Sequence, residues 1–135
     1  PGYLEAIAYK DGKRVASHRI ETSSDVKKLR LSADAITWKA DGKDLQHIRV
    51  IALDNKNRRA YTAQQKLQFS VEGDAKIVAV DNGNISSGEL HVSNERSLYN
   101  GSALVILRAD KKAGKVTLKV NDKDGRTDKI VLQTL

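Results

Sequence analysis

Cysteine is absent from the 135 residues, which excludes disulfides, thiolate nucleophiles and cysteine-based zinc sites. Proline occurs once, so neither a polyproline segment nor a collagen-like repeat is present. No apolar run approaches the roughly 18 residues that cross a bilayer as a helix. The opening Pro1-Gly2-Tyr3-Leu4 lacks the charged-then-apolar layout of a secretion signal, and any such signal is expected in a longer precursor. Aromatic side chains are few: one Trp, one Phe and four Tyr. A nucleic-acid platform built by interleaving basic residues with stacked rings therefore lacks its rings.

What is present is charge and alternation. Hydrophobic residues make up 39% and charged residues 30%, the balance of one soluble domain. The net charge is +7, and the excess lies almost wholly in the first 70 residues. The basic side chains sit beside acids or alternate with apolar residues, which reads as a solvated sheet face and not as a phosphate-binding patch. No nucleic-acid or membrane partner is expected.

Chemistry-bearing residues are scattered. His18, His47 and His91 form no chelating pair. The run Asp122-Lys123-Asp124-Gly125 has carboxylates near a glycine but no glutamate at the twelfth position, so it reads as a hairpin turn and not as a calcium loop. Gly-x-Ser-x-Gly does not occur. A glycosidase needs two carboxylates across one pocket, and here most acids fall in turns. Catalytic residues, cofactors and metals are accordingly expected to be none.

Period-two alternation recurs along the chain. Lys66–Glu72 and Lys115–Val120 place apolar side chains at every second position, as half-buried strands do. His47–Leu53, Lys76–Val80 and Ala103–Leu107 are more continuously apolar and read as central strands covered on both faces. Lys129–Leu135 supplies a last strand. Asp11-Gly12, Asp41-Gly42, Asn82-Gly83, Asn100-Gly101 and Asp124-Gly125 punctuate these runs with residues that tolerate positive φ. The pattern predicts an all-β fold, an immunoglobulin-like antiparallel β-sandwich of about seven to nine strands preceded by a β-hairpin. Leu67, Phe69, Val71, Ile77, Val80, Leu104, Ile106, Val116, Leu118, Val120, Ile130 and Leu132 are expected to face inward.

Residues 1–25 differ from the rest. Tyr3–Tyr9 and Arg14–Thr22 flank the turn Lys10-Asp11-Gly12-Lys13, and Thr22-Ser23-Ser24-Asp25 then breaks the pattern. The expected division is a hairpin at 1–25, closing a preceding sandwich domain, and a sandwich domain at 26–135. Cut off from its native sheet, such a hairpin docks on the nearest sandwich or pairs with a second copy of the chain.

Trp38, Tyr61 and Tyr99 are the candidate sugar-stacking residues, since pyranose faces stack on rings. The competing reading places Trp38 and Phe69 in the core and Tyr99 at a turn.

Four strings in one order carry a resemblance: Ala40-Asp41-Gly42-Lys43-Asp44-Leu45 with Ile48-Arg49-Val50 and Leu53-Asp54; Phe69-Ser70-Val71-Glu72-Gly73; Lys76-Ile77-Val78-Ala79-Val80-Asp81-Asn82-Gly83; and Tyr99-Asn100-Gly101-Ser102-Ala103-Leu104-Val105-Ile106. Together they resemble the carboxy-terminal immunoglobulin-like domain of bacterial β-galactosidases of glycoside hydrolase family 2. The amino-terminal hairpin is similar to the closing hairpin of the preceding sandwich in those enzymes. Asn55–Ala63 and Asn84-Ile85 depart from the family pattern in loops only. The resemblance implies a non-catalytic accessory domain, a parent enzyme that hydrolyses terminal β-galactosides, an extracytoplasmic location, and the parent's other domains as partners. A carbohydrate-binding module and an adhesin-like spacer are the alternatives, with carbohydrate as partner in the former.

Overall fold

The computed structural model describes residues 1–135. Eleven strands and no helix form: β1 (Tyr3–Lys10), β2 (Lys13–Glu21), β3 (Lys28–Ala33), β4 (Thr37–Trp38), β5 (Leu45–Leu53), β6 (Lys66–Glu72), β7 (Ala75–Asp81), β8 (Glu95–Ser97), β9 (Ser102–Ala109), β10 (Gly114–Asp122) and β11 (Thr127–Thr134). Strands β3 to β11 make two sheets, ordered β4-β11-β10-β6-β8 and β3-β5-β9-β7. The sheets enclose a core cluster that includes Leu31, Ile48, Val50, Leu67, Phe69, Val105, Leu107, Leu118 and Leu132. Neighbouring strands run antiparallel except for one short parallel pairing, of β4 with β11.

Alternation located the core correctly where it was clean. In β6, Leu67 and Phe69 are buried between exposed Lys66, Gln68 and Ser70; in β10, Val116, Leu118 and Val120 are fully buried. Burying each such side chain contributes about 1.5–3 kcal/mol. Val71, Ile77 and Ile130 pack against this core half-buried.

Strand β9 corrects the expectation. Ala103, Val105 and Leu107 face the core, whereas Leu104 and Ile106 lie half-buried on the outer face. A continuously apolar run carries no phase, so composition alone left its inward set open. The outer faces of β5 and β9 are not covered by a further layer. Leu104 lies opposite Arg49 and Ile106 opposite His47 across the ladder, and long polar neighbours of this kind shield apolar surface with their stems. Nor is β7 central; it is the edge of its sheet.

The turns use the residues the sequence nominated. Asp11 and Gly12 both adopt positive φ, 50° and 76°, as do Asn100 and Gly101, 48° and 73°. Two successive positive-φ residues give the turn whose twist matches a hairpin. At Gly101 space decides as well as φ, since an added Cβ would strike the carbonyl of Ala60.

Strands β1 and β2 form a two-stranded sheet of their own. Leu4, Ala6 and Ala8 pair with Ile20, His18 and Ala16, while Tyr3, Glu5 and Ile7 pair with Glu21, Arg19 and Ser17. A bulge between Ala8 and Tyr9 leaves Val15 without a partner. Both faces are open to solvent, with Tyr3, Leu4, Tyr9, Val15 and Ile20 all more than half exposed. An isolated ribbon of two strands is marginal in water, so its attachment to the sandwich matters.

Candidate domain junction

Strand β2 ends at Glu21, and the connection to β3 begins with Thr22 folding back on the amino terminus. Thr22 N–H donates to the Gly2 carbonyl at 2.9 Å, and Gly2 N–H donates to Thr22 Oγ1 at 3.0 Å. The ribbon is thereby closed at its base. What fixes it to the sandwich is the loop that follows β5.

That loop is organised by Asp54, whose side chain is fully buried. Its Oδ1 accepts the N–H groups of Lys56 at 2.8 Å and Arg58 at 2.9 Å, and Asp54 N–H donates to the Arg58 carbonyl at 2.9 Å. Asn57 takes a positive φ of 62° to close the turn. The Arg58 guanidinium returns over the turn, with Nε 2.8 Å and Nη2 2.7 Å from Asp54 Oδ2. The same oxygen accepts Ser24 N–H at 3.0 Å, a donor from the connection that leaves the hairpin. Arg58 Nη1 then reaches Glu21 at 2.9 Å, and the other oxygen of Glu21 pairs with Arg19 at 2.8 Å. A chain of alternating charge, Arg19–Glu21–Arg58–Asp54, therefore spans from ribbon to sandwich. Lys27 N–H, donating to the Leu53 carbonyl at 2.8 Å, completes the attachment.

Burial opposes ionisation of Asp54. The N–H groups of Arg58, Ser24 and Lys56 and the Arg58 guanidinium outweigh it and hold the carboxyl far below the ordinary carboxylate range. The Arg58 guanidinium is held more firmly protonated, first by its bond to Asp54. A buried charge with all its partners in place is costly to disturb from either side.

An identical turn recurs between β10 and β11. Asp122 Oδ1 accepts the N–H groups of Asp124 and Arg126, each at 3.0 Å, Asp122 N–H donates to the Arg126 carbonyl, and Gly125 holds φ at 82°. Arg126 lies 3.0 Å from Asp122 and 2.8 Å from Asp124. The carboxylates are thus spent on backbone donors and an arginine, the arrangement of a turn and not of a calcium loop. The shared pattern is Asp-x-x-(Asn or Gly)-Arg, at 54–58 and 122–126. Sequence reasoning missed Glu21, Asp54 and Arg58 as a unit, and this repeated pattern was the available signal.

The candidate sugar-stacking residues have different surroundings. Trp38 is only 6% exposed, its indole N–H meets no acceptor, and it borders a cleft with Asp44, Gln46 and Leu135. Tyr61 is 62% exposed and borders a different cleft with Arg19, Ile20, Glu21, Arg58 and Arg59, the Arg59 guanidinium lying 4.8 Å from its ring centroid. Tyr99 begins the Asn100–Gly101 turn, its N–H donating to the Ser102 carbonyl. Arg59, over the Tyr61 ring, also donates to the Asn100 carbonyl at 2.7 Å, so Tyr61 stands beside the turn that Tyr99 begins, while Trp38 borders a separate cleft. His18 lies on β2, His47 on β5 and His91 in the connection before β8, and no group of three potential metal ligands forms.

The family model described as glycoside hydrolase family 2 C-terminal domain 5 matches residues 29–131. The chain belongs to that family. Among its relatives is the β-galactosidase BoGH2A of Bacteroides ovatus, 37% identical over 118 residues, which covers 87% of this chain and 14% of that enzyme. A β-galactosidase of Thermoanaerobacter pseudethanolicus is 29% identical over 116 residues, again 14% of its length. Among solved structures, a glycosyl hydrolase family 2 member from Bacteroides cellulosilyticus superposes with a TM-score of 0.95 at 35% identity, covering 99% of this chain and 17% of that one. This domain 5 chain thus spans about 14% of the length of the curated relatives it matches. The superposition takes in the ribbon as well as the sandwich.

Proposed function

We propose that the chain is a non-catalytic accessory domain that packs within a family 2 glycosidase, and that the parent hydrolyses terminal β-galactosides outside the cytoplasm. The observation that carries the reading is the junction. A ribbon exposed on both faces, yet clamped to the sandwich through Glu21, Arg58, Asp54 and Ser24, suits a module that holds its neighbours at a set angle. The boundary we propose lies near Thr22–Asp25, with residues 1–25 belonging to the sandwich that precedes this one and 26–135 forming the accessory domain. The parent's other domains are the partners on this reading, and pairing of two copies through the free ribbon is the competing use of the same strands.

The test is to purify the full-length parent and assay it against aryl β-galactosides. Hydrolysis that survives Asp54→Asn with unchanged KM supports an accessory role. Hydrolysis by the 135-residue chain alone overturns it.

Carbohydrate contact is a second reading, favoured by exposed Tyr61 beside a polar cleft. Saturable binding of a galactan, lost on Tyr61→Ala and kept on Trp38→Phe and Tyr99→Ala, supports contact at Tyr61. Unchanged mobility in affinity electrophoresis through a galactan gel removes this reading.

A further inference from the structure

The connection from β7 to β8, residues 82–94, is long, without regular structure, and tightly ordered from within. Its organiser is Arg96 on β8, a charged side chain with no exposed surface. Arg96 Nη1 donates to the Glu89 carbonyl at 3.0 Å, and Nη2 donates to Asn82 Oδ1 at 3.0 Å beside Asp81 at 3.4 Å. Glu89 Oε1 in turn accepts the N–H and hydroxyl of Ser97 at 3.0 and 2.9 Å. The connection also closes one flank of the sandwich. The His91 carbonyl accepts Val80 N–H from β7, and the Asn94 carbonyl accepts Phe69 N–H from β6, both at 2.8 Å. Each sheet thus hands one backbone donor to the same loop.

So much internal order leaves an outward side that is apolar. Ile85 is 102% exposed, Leu90 75% and Val92 80%. Single exposed aliphatics are ordinary, but here three lie on one loop that a buried arginine holds in place. The loop's own acid, Glu89, is spent internally on Ser97 and Arg96, while Asp81 at the end of β7 accepts Gly83 N–H and faces both Arg96 and His91. Of the other exposed residues of the loop, Ser86 carries no charge, and His91, between Leu90 and Val92, lies 3.9 Å from the half-exposed Asp81 carboxylate.

We infer that the Ile85–Leu90–Val92 loop is an interdomain contact, seated against an apolar surface elsewhere in the same parent polypeptide. This rests on the proposal that the chain is one domain of a longer glycosidase. The length argument favours that occupant, since the relatives carry about 14% of their residues in this region and the rest lies outside it.

Hydroxyl-radical footprinting of the full-length parent, native and urea-unfolded, reads the side chains directly. Oxidation of Ile85, Leu90 and Val92 is expected to be suppressed several-fold in the native parent and independent of protein concentration. Ile85→Asp, at a fully exposed position of the domain, is expected to restore oxidation of Leu90 and Val92 while leaving the buried Leu118 shielded. Native oxidation near the unfolded rate overturns the proposal, and shielding that disappears on dilution overturns it in favour of a second copy. Glycosidase activity is measured on the same sample. Active parent with unshielded residues defeats the surface and not the accessory reading, whereas shielded residues in a parent without glycosidase activity defeat the reading and not the surface.

Discussion

Two turns in this domain share a pattern and differ in what they hold. Asp54–Arg58 and Asp122–Arg126 have the same backbone bonds, the same positive-φ residue at the fourth place and an arginine at the fifth. At 122–126 the arginine answers only the carboxylates of its own turn, and the turn simply reverses β10 into β11. At 54–58 one carboxylate oxygen has a further task, accepting Ser24 N–H, and the arginine reaches Glu21. The local sequence makes the turn; a distant glutamate and serine make it a joint. Thus a motif read from five residues predicts conformation, while its role depends on what the fold brings within hydrogen-bond distance.

Removing each aspartate separates turn from joint. Asp54→Ala strips the N–H groups of Ser24, Lys56 and Arg58 of their acceptor and leaves Arg58 without its inner partner, so it is expected to give the largest fall in melting temperature. Asp122→Ala loses a turn alone and is expected to cost about 1–3 kcal/mol in a urea melt. Equal losses would break the comparison.

Acid sharpens it. A carboxylate whose folded pKa lies below its unfolded value, near 3.9, contributes stability that is fully present above that value and is lost as pH falls toward the folded pKa. Melting temperature should therefore drop below about pH 4, and Asp54→Asn should remove part of that slope while lowering stability at neutral pH.

Smaller changes address the arginine's reach and the turn itself. Glu21→Gln weakens two partly exposed ion pairs and should cost no more than about 1 kcal/mol, while loosening the ribbon. Gly125→Asn should be nearly neutral, within about 0.5 kcal/mol, because Asn57 occupies the equivalent place at positive φ and nothing crowds an added Cβ at Gly125. A loss above that range would mean the two turns are not equivalent.

Much of the sandwich was legible because burial on one face writes a period of two into β6 and β10. The short strands were not, since the two residues of β4 and the three of β8 are too few to show a period, and β4 pairs with β11, a strand distant in sequence at the far end of the chain. Arg96 was hidden for another reason: an arginine at a core position looks like surface until Asn82 and Glu89 are brought around it. The junction combined both cases. Its turn was written in five adjacent residues, but Glu21 lies 37 positions from Arg58, and only the fold joins them.

The central claim is that this joint holds the ribbon at a fixed attitude to the sandwich. The chain has no cysteine, so Lys13→Cys and Lys123→Cys introduce two unique, exposed labelling sites, one at the ribbon turn and one on the sandwich. Pulsed electron–electron resonance between spin labels at these positions should give a single narrow distance distribution that broadens markedly with Glu21→Gln. A distribution already broad in the parent sequence, or one that Glu21→Gln leaves unchanged, would contradict the account.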